Sequence, residues 1–188
     1  METTNPLYRF LFCPLCGSHH FEEHSWNARR CKDCGFTLYT NPRGATVAVI
    51  VNEKDELLVG TRVNEPAKGT YDLVGGFMDL GETAEQAMIR EIEEESGIKV
   101  SESQLRYLFS QPNQYPYSGI VCHTIDLFFE CRIDSRTQIK SMDDISGLRW
   151  IPIREVEAQL FGLDSVRTGI MRYLAEENIK YKDNTQRQ

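Results

Sequence analysis

Gly76-Phe77-Met78-Asp79-Leu80-Gly81-Glu82 runs directly into Thr83-Ala84-Glu85-Gln86-Ala87-Met88-Ile89-Arg90-Glu91-Ile92-Glu93-Glu94-Glu95-Ser96-Gly97-Ile98. The second half predicts a helix. Thr83 and Gln86 have the spacing of a capping box, in which the threonine hydroxyl satisfies an orphan backbone N–H. Ala84, Ala87, Met88 and Ile92 recur at helical spacing, and Gly97 is placed to end the helix. On that helix Glu91, Glu94 and Glu95 stand at i, i+3 and i+4, so they leave from one face. Three like charges in one patch repel unless a cation gathers them, and carboxylates are hard oxygen ligands suited to Mg²⁺ or Mn²⁺. Arg90 lies beside them and can orient Glu82 or Glu91 through a forked hydrogen bond. A solvated glutamate-rich face would account for residues 91–95 alone. It would not account for glycines, a distant glutamate and an Arg-Glu pair at fixed offsets.

Working outward, residues 45–51 are apolar and β-branched and predict a buried strand. Residues 52–56 read as a turn, 57–62 as a returning strand, and 71–74 as a strand that ends at Gly75-Gly76. Downstream, strands are expected over 105–110, 121–131 and 148–151. A short helix should begin near 153–156, and a longer one should cover 164–177 with Asp164 or Ser165 as its cap. The segment from Lys180 to Gln188 is polar and expected to fray. Composition shifts near residue 40, where 39–44 have turn chemistry. The expected organisation is residues 1–40, a main domain over 41–180 and a tail over 181–188. Strands interleaved with helices give an α+β or α/β sandwich.

The run from Gly76 to Ile98 resembles the Nudix signature: Gly, five residues, Glu, seven residues, Arg-Glu, aliphatic, any, Glu-Glu, any, Gly, aliphatic. Gly76, Glu82, Arg90, Glu91, Ile92, Glu94, Glu95, Gly97 and Ile98 stand at every fixed position. The resemblance implies an α/β/α sandwich with a mixed sheet, and hydrolysis of a nucleoside diphosphate linked to another group. It implies that Glu91, Glu94 and Glu95 bind Mg²⁺ or Mn²⁺ together with the carbonyl of Gly75. Glu82 and Arg90 would support them. Glu91 and Glu94 are rival general bases. The family often forms homodimers, so a homodimer is expected.

Before this domain, Cys13-Pro14-Leu15-Cys16-Gly17 and Cys31-Lys32-Asp33-Cys34-Gly35 are matching knuckles. Each presents two thiolates, and four thiolates close the shell of one tetrahedral Zn²⁺, so this small ribbon should be a structural site. A redox dithiol pair is the rival reading. One of His19, His20 and His24 can replace a cysteine as ligand, although exposed loop histidines are the simpler reading. Cys122 and Cys131 are expected on opposite faces of one strand, each as a small apolar residue.

The formal net charge of -7 argues against a protein built mainly to grip DNA or RNA, but not against a small phosphate-bearing substrate held with a metal. No apolar run is long enough to span a bilayer, and the first residues lack a secretory pattern, so a cytoplasmic protein without membrane partners is expected.

Residues 110–118, Ser-Gln-Pro-Asn-Gln-Tyr-Pro-Tyr-Ser, read as a polar loop between two strands. Zinc-ribbon Nudix enzymes similar to NADH pyrophosphatase carry Ser-Gln-Pro-Trp-Pro-Phe-Pro-any-Ser downstream of the signature. Ser110, Gln111, Pro112, Pro116 and Ser118 match it, Tyr115 replaces Phe, and Asn113 and Gln114 depart. This narrower resemblance implies substrate contacts from Gln111, Tyr115 and Ser118. It also places a further metal carboxylate six residues before Trp150, at Asp144. The implied substrate is a dinucleotide such as NADH or NAD⁺, with ADP-ribose, FAD, a nucleotide sugar or a dinucleotide-capped RNA as alternatives. A ligand-sensing domain with a ribbon that binds nucleic acid or protein, using Arg29, Arg30 and Lys32, is the reading from another class.

Overall fold

The structure is a computed structural model that describes residues 5–142 and 144–185, the side chains of 178–185 excepted. The chain forms two compact units, one of Met1–Arg43 with Gln114–Thr124 and one of Gly44–Asn113 with Ile125–Gln188.

In the first unit a 3₁₀ turn, Pro6–Arg9, is capped by the Asn5 side chain. It is followed by β1 (Phe21–Ser25), β2 (Ala28–Cys31) and β3 (Thr37–Tyr39), an antiparallel sheet in that order. Its core is small: Cys13, Phe21 and Cys31 are buried, with Phe36 and Leu38 packed on them. Each cysteine knuckle turns through a glycine in the left-handed region, Gly17 at φ 73° and Gly35 at φ 78°, where a side chain would be strained.

The second unit is built on β4 (Arg43–Val51), β5 (Glu56–Arg62), β6 (Tyr71–Asp72), β7 (Gly75–Phe77), β8 (Leu105–Tyr117), β9 (Ile120–Arg132) and β10 (Ile145–Pro152). The sheet runs β10-β5-β4-β9-β8, with β6 on β5 and β7 on β4. Strand alternation explains why it can be covered on both faces. Val47, Val49 and Val51 of β4 join one core with Leu57, Val59 and Phe128, while Ala48 and Ile50 join another with Leu58, Phe129 and Cys131. Helix α1 (Ala84–Ser96) inserts Met88 and Ile92 into the second core, and α2 (Asp164–Thr185) inserts Val166, Ile170 and Tyr173 into the first. The result is the expected helix–sheet–helix sandwich. Cys122 and Cys131 are both buried, as small apolar residues should be.

Helix α1 has the ends read from sequence. Thr83 Oγ1 accepts from Gln86 N at 3.2 Å, Gln86 Oε1 accepts from Thr83 N at 2.9 Å, and Gly97 closes the helix in the left-handed region. Three readings need correction. The strand expected to end at Gly75-Gly76 instead breaks after Asp72 and resumes as β7, because both glycines pair with β4. Helix α2 does not stop at Glu177 but continues to Thr185, since residues 178–185 contain no Gly or Pro to end it; residues 186–188 of the expected tail lie outside the described residues. The tract 110–118 is not a loop. Its residues up to Tyr117 extend β8, and the turn is confined to Ser118 and Gly119, both at positive φ, as a two-residue hairpin connection requires. Two prolines are tolerated there because β8 is the edge strand of the sheet, where a missing N–H costs no ladder bond. Among the described residues, no helix is long and apolar enough to cross a membrane.

Gly169 marks the closest approach of α2 to the sheet. A Cβ there would lie 2.4 Å from the fully buried ring of Phe128. Gly169→Ala should therefore lower stability, because overpacking costs about 1–3 kcal/mol and outweighs the roughly 1 kcal/mol that alanine adds to helix propensity. Urea unfolding measures the sign, and a stabilised variant would contradict this packing.

Candidate functional site

Arg90 organises the acidic face of α1. Its Nε and Nη2 fork onto Glu82 at 2.8 and 3.0 Å, and Nη1 donates to Glu91 at 2.8 Å and to Glu94 at 2.9 Å. Nη2 also donates to the Phe77 carbonyl at 3.0 Å, so all five guanidinium N–H groups are used. Glu82 in turn accepts from the backbone N–H of Asp79 at 2.8 Å, which fixes the turn before the helix. Its bonds from Arg90 hold the Glu82 carboxyl below the usual carboxylate range.

Glu95 lies outside that arrangement. It is buried, and its Oε2 accepts from the backbone N–H of Gly75 at 2.9 Å. Burial, with the nearby charges of Glu91, Asp72 and Asp144 adding to it, pushes its carboxyl up to about 8, against the pull of the Gly75 N–H. The glycine pair is required by this packing. A Cβ on Gly75 would meet the Thr46 carbonyl oxygen at 2.1 Å, and one on Gly76 would meet the Glu91 carboxylate at 2.6 Å. Thr46, paired with Gly76 across the sheet, keeps its hydroxyl oxygen buried without a hydrogen-bond partner among the described residues. A buried carboxylate among other acids, with a vacant oxygen donor close by in register, is a donor set that fits a hard divalent cation.

Asp144 accepts from Asn64 Nδ2 at 2.6 Å through Oδ1, which fixes the carboxylate just before β10. The structure thus brings Gly75, Gly76, Glu82, Arg90, Glu91, Glu94 and Glu95 together, with Asp144 near enough to act on Glu95. It does not gather the carboxylates into one cage. Among the described residues, the group of three or more ligand-type side chains that converges within 4.8 Å is the cysteine set. Arg90 bonds Glu91 and Glu94, whereas Glu95 bonds the Gly75 N–H.

Gln111 lies half-buried on β8, while Tyr115 near the hairpin tip and Ser118 in its turn belong to the other unit. The tract's departing residue Asn113 has a defined contact: its Nδ2 donates to Asp126 at 3.1 Å, and Ser165 Oγ donates to the same oxygen at 2.5 Å. Asp126 and Asp72 are buried acids that the sequence reading did not single out, and Asp72 pairs with the half-buried Arg62 at 2.5 Å. Burial pushes Asp72 up, against the pull of Arg62. The available signal was charge inside a strand: Asp126 and Glu130 flank the apolar run Leu127-Phe128-Phe129 of β9.

In the first unit, Cys13, Cys16, Cys31 and Cys34 place their Sγ atoms within 4.8 Å of one another. None of His19, His20 and His24 joins them, and His20 instead pairs with Asp33 at 3.1 Å. The backbone N–H of Cys34 helps to hold the Cys31 thiol down to about 6, while the neighbouring thiols push Cys16 up to about 12 and Cys34 is raised as well, so the four sulfurs share protons until an ion replaces them. Two alternating buried and exposed thiols per knuckle fit a tetrahedral thiophilic ion.

Comparison with known proteins agrees with this geometry. The NAD-capped RNA hydrolase NudC of Vibrio atlanticus is 34% identical over 115 residues, which are 61% of this chain and 41% of that protein. The chain therefore spans less than half the length of that relative. The crystal structure of a bifunctional NMN adenylyltransferase/ADP ribose pyrophosphatase from Francisella tularensis, complexed with AMP and manganese, superposes with a TM-score of 0.56 and 26% identity over 74% of this chain and 42% of that one. A NUDIX hydrolase from Nitrosomonas europaea shares the fold, with a TM-score of 0.64 and 19% identity over 89% of this chain and 92% of that one. The NUDIX domain model matches residues 41–174, most of the chain and the whole of the acidic helix, and this protein belongs to the NUDIX domain family.

Proposed function

We propose that this chain is a divalent-metal-dependent pyrophosphohydrolase that splits NAD-type dinucleotides. Water attacks one phosphorus, the bridging P–O bond breaks, and the products are AMP and nicotinamide mononucleotide. The observation that carries the reaction is Glu95, buried on α1 against Gly75 N–H beside Glu91, Asp72 and Asp144 and with no basic partner among the described residues. The substrate class is supported by the relative at 34% identity, whose name gives NAD-capped RNA as what it hydrolyses.

Glu91, Glu95, Asp144 and the Gly75 carbonyl would hold Mg²⁺ or Mn²⁺, which supplies Lewis-acid polarisation of phosphate oxygens. Glu94 is the better placed to take the proton of the attacking water. Its side chain is half exposed, and only one of its oxygens is engaged, by Arg90, among the described residues. Arg90 orients Glu91 and Glu94 through Nη1. The four thiolates would hold Zn²⁺, which stabilises a unit whose apolar core is too small to stand alone. ADP-ribose is the second reading, favoured by the likeness to the Francisella tularensis pyrophosphatase.

Chromatography of products from NADH, NAD⁺, ADP-ribose and FAD with Mg²⁺ or Mn²⁺ tests the assignment. The expected result is AMP with nicotinamide mononucleotide from NADH or NAD⁺. Glu95→Gln should lose at least on the order of 10²-fold in turnover, the scale of one positioned catalytic group, while keeping the fold. Full turnover by that variant would sink the proposal, and preference for ADP-ribose would select the second reading. Elemental analysis should find one zinc per chain, and Cys31→Ser should lose it; zinc retained in that variant would contradict the thiolate site.

A further inference from the structure

The unit that carries the cysteines contains a pocket that neither the thiolates nor the acidic helix uses. It has a volume of about 200 Å³ and is lined by Asn5, Tyr8, Glu23, Ser25, Trp26 and Arg29, among others. Tyr8 stands on the 3₁₀ turn, and Trp26 is at the two-residue tip between β1 and β2. Both are open to solvent, Tyr8 at 50% and Trp26 at 80%, and neither ring packs on another ring among the described residues.

The two segments that bear these rings are tied together. Asn5 Nδ2 donates to the Trp26 carbonyl at 2.6 Å, and Arg29 Nη1 donates to the Leu7 carbonyl at 3.3 Å while its Nε holds the Phe21 carbonyl at 3.0 Å. The pocket is therefore preformed, and the Arg29 guanidinium is spent on backbone carbonyls. Glu23, which faces Arg29 across the strands, is left exposed with no hydrogen bond or ion pair among the described residues. A pocket with two aromatic side walls and one free carboxylate suits a planar ring that presents adjacent N–H donors.

We propose that this pocket binds a guanine base. Guanine offers N1–H and N2–H side by side to a carboxylate, and its faces stack on aromatic side chains. Adenine places an acceptor nitrogen where Glu23 needs a donor, so it is disfavoured. The cavity is smaller than the roughly 300–1,000 Å³ of clefts that enclose drug-sized ligands, which matches one base and not a dinucleotide. The charge of the unit admits an attached phosphate: residues 1–43 carry five Lys or Arg against four Asp or Glu, in a chain of net charge -7. The base can come from a free nucleotide or from single-stranded RNA. The proposal does not depend on the hydrolytic reading.

The test is equilibrium binding to the full chain, without added Mg²⁺ or Mn²⁺, of GMP, AMP and the RNA pentamers UUGUU and UUAUU. The guanine ligand should bind about tenfold or more tighter than its adenine counterpart. Trp26→Ala should weaken it by about tenfold or more, the scale of losing one base–aromatic stack. Glu23→Gln should abolish the preference for guanine. Preference shown by GMP and UUGUU alike points to a free nucleotide, and preference shown by UUGUU alone points to a strand. Equal binding of guanine and adenine ligands, no binding of either, or an unchanged preference in Glu23→Gln would overturn the proposal. Both variants should keep the zinc content and dinucleotide turnover of the parent, which separates a failed pocket from a failed fold.

Discussion

Arg90 is the group on which the acidic face of the helix depends. Three glutamates on one helical face repel, and no helix propensity compensates for gathering them. Arg90 spends all five of its N–H groups on Glu82, Glu91, Glu94 and the Phe77 carbonyl. The arrangement does two things at once. It ties the turn before α1 to the helix, and it leaves Glu95 without a basic partner among the described residues. A lysine at this position would keep the charge but lose the planar fork that reaches both Glu82 oxygens.

The sheet supplies the other half of the constraint. β7 brings Gly75 so close to β4 that a Cβ would meet the Thr46 carbonyl oxygen, and Gly76 so close to Glu91 that a Cβ would displace its carboxylate. The Gly75 N–H can therefore meet Glu95 directly. A buried carboxylate is costly in isolation, and this one backbone donor offsets only part of its desolvation. The buried groups Asp72, Asp126 and Glu130 follow the ordinary rule instead. Each has a basic or hydroxyl partner, namely Arg62 for Asp72, Ser165 for Asp126, and Arg106 with Tyr173 for Glu130.

The parts legible in the sequence were those set by local chemistry. The Thr83–Gln86 cap, the Gly97 stop and the paired knuckles each follow from fixed spacings, and the structure places them accordingly. The parts that were not legible depend on sheet position. Two prolines in 110–118 read as a loop because a proline in a central strand would break the ladder; β8 carries them because it is an edge. The partner of Asn113 and the acids around Glu95 come from segments far apart in sequence, so no window of residues could have joined them.

The central claim is that Glu95, with the carboxylates beside it, forms a divalent-cation site. Paramagnetic titration of Mn²⁺ into the substrate-free protein, compared with its Glu95→Gln variant, measures this without reference to any substrate. The account predicts saturable binding by the parent chain that is lost or greatly weakened in the variant. Equal Mn²⁺ affinity in the two proteins would contradict it.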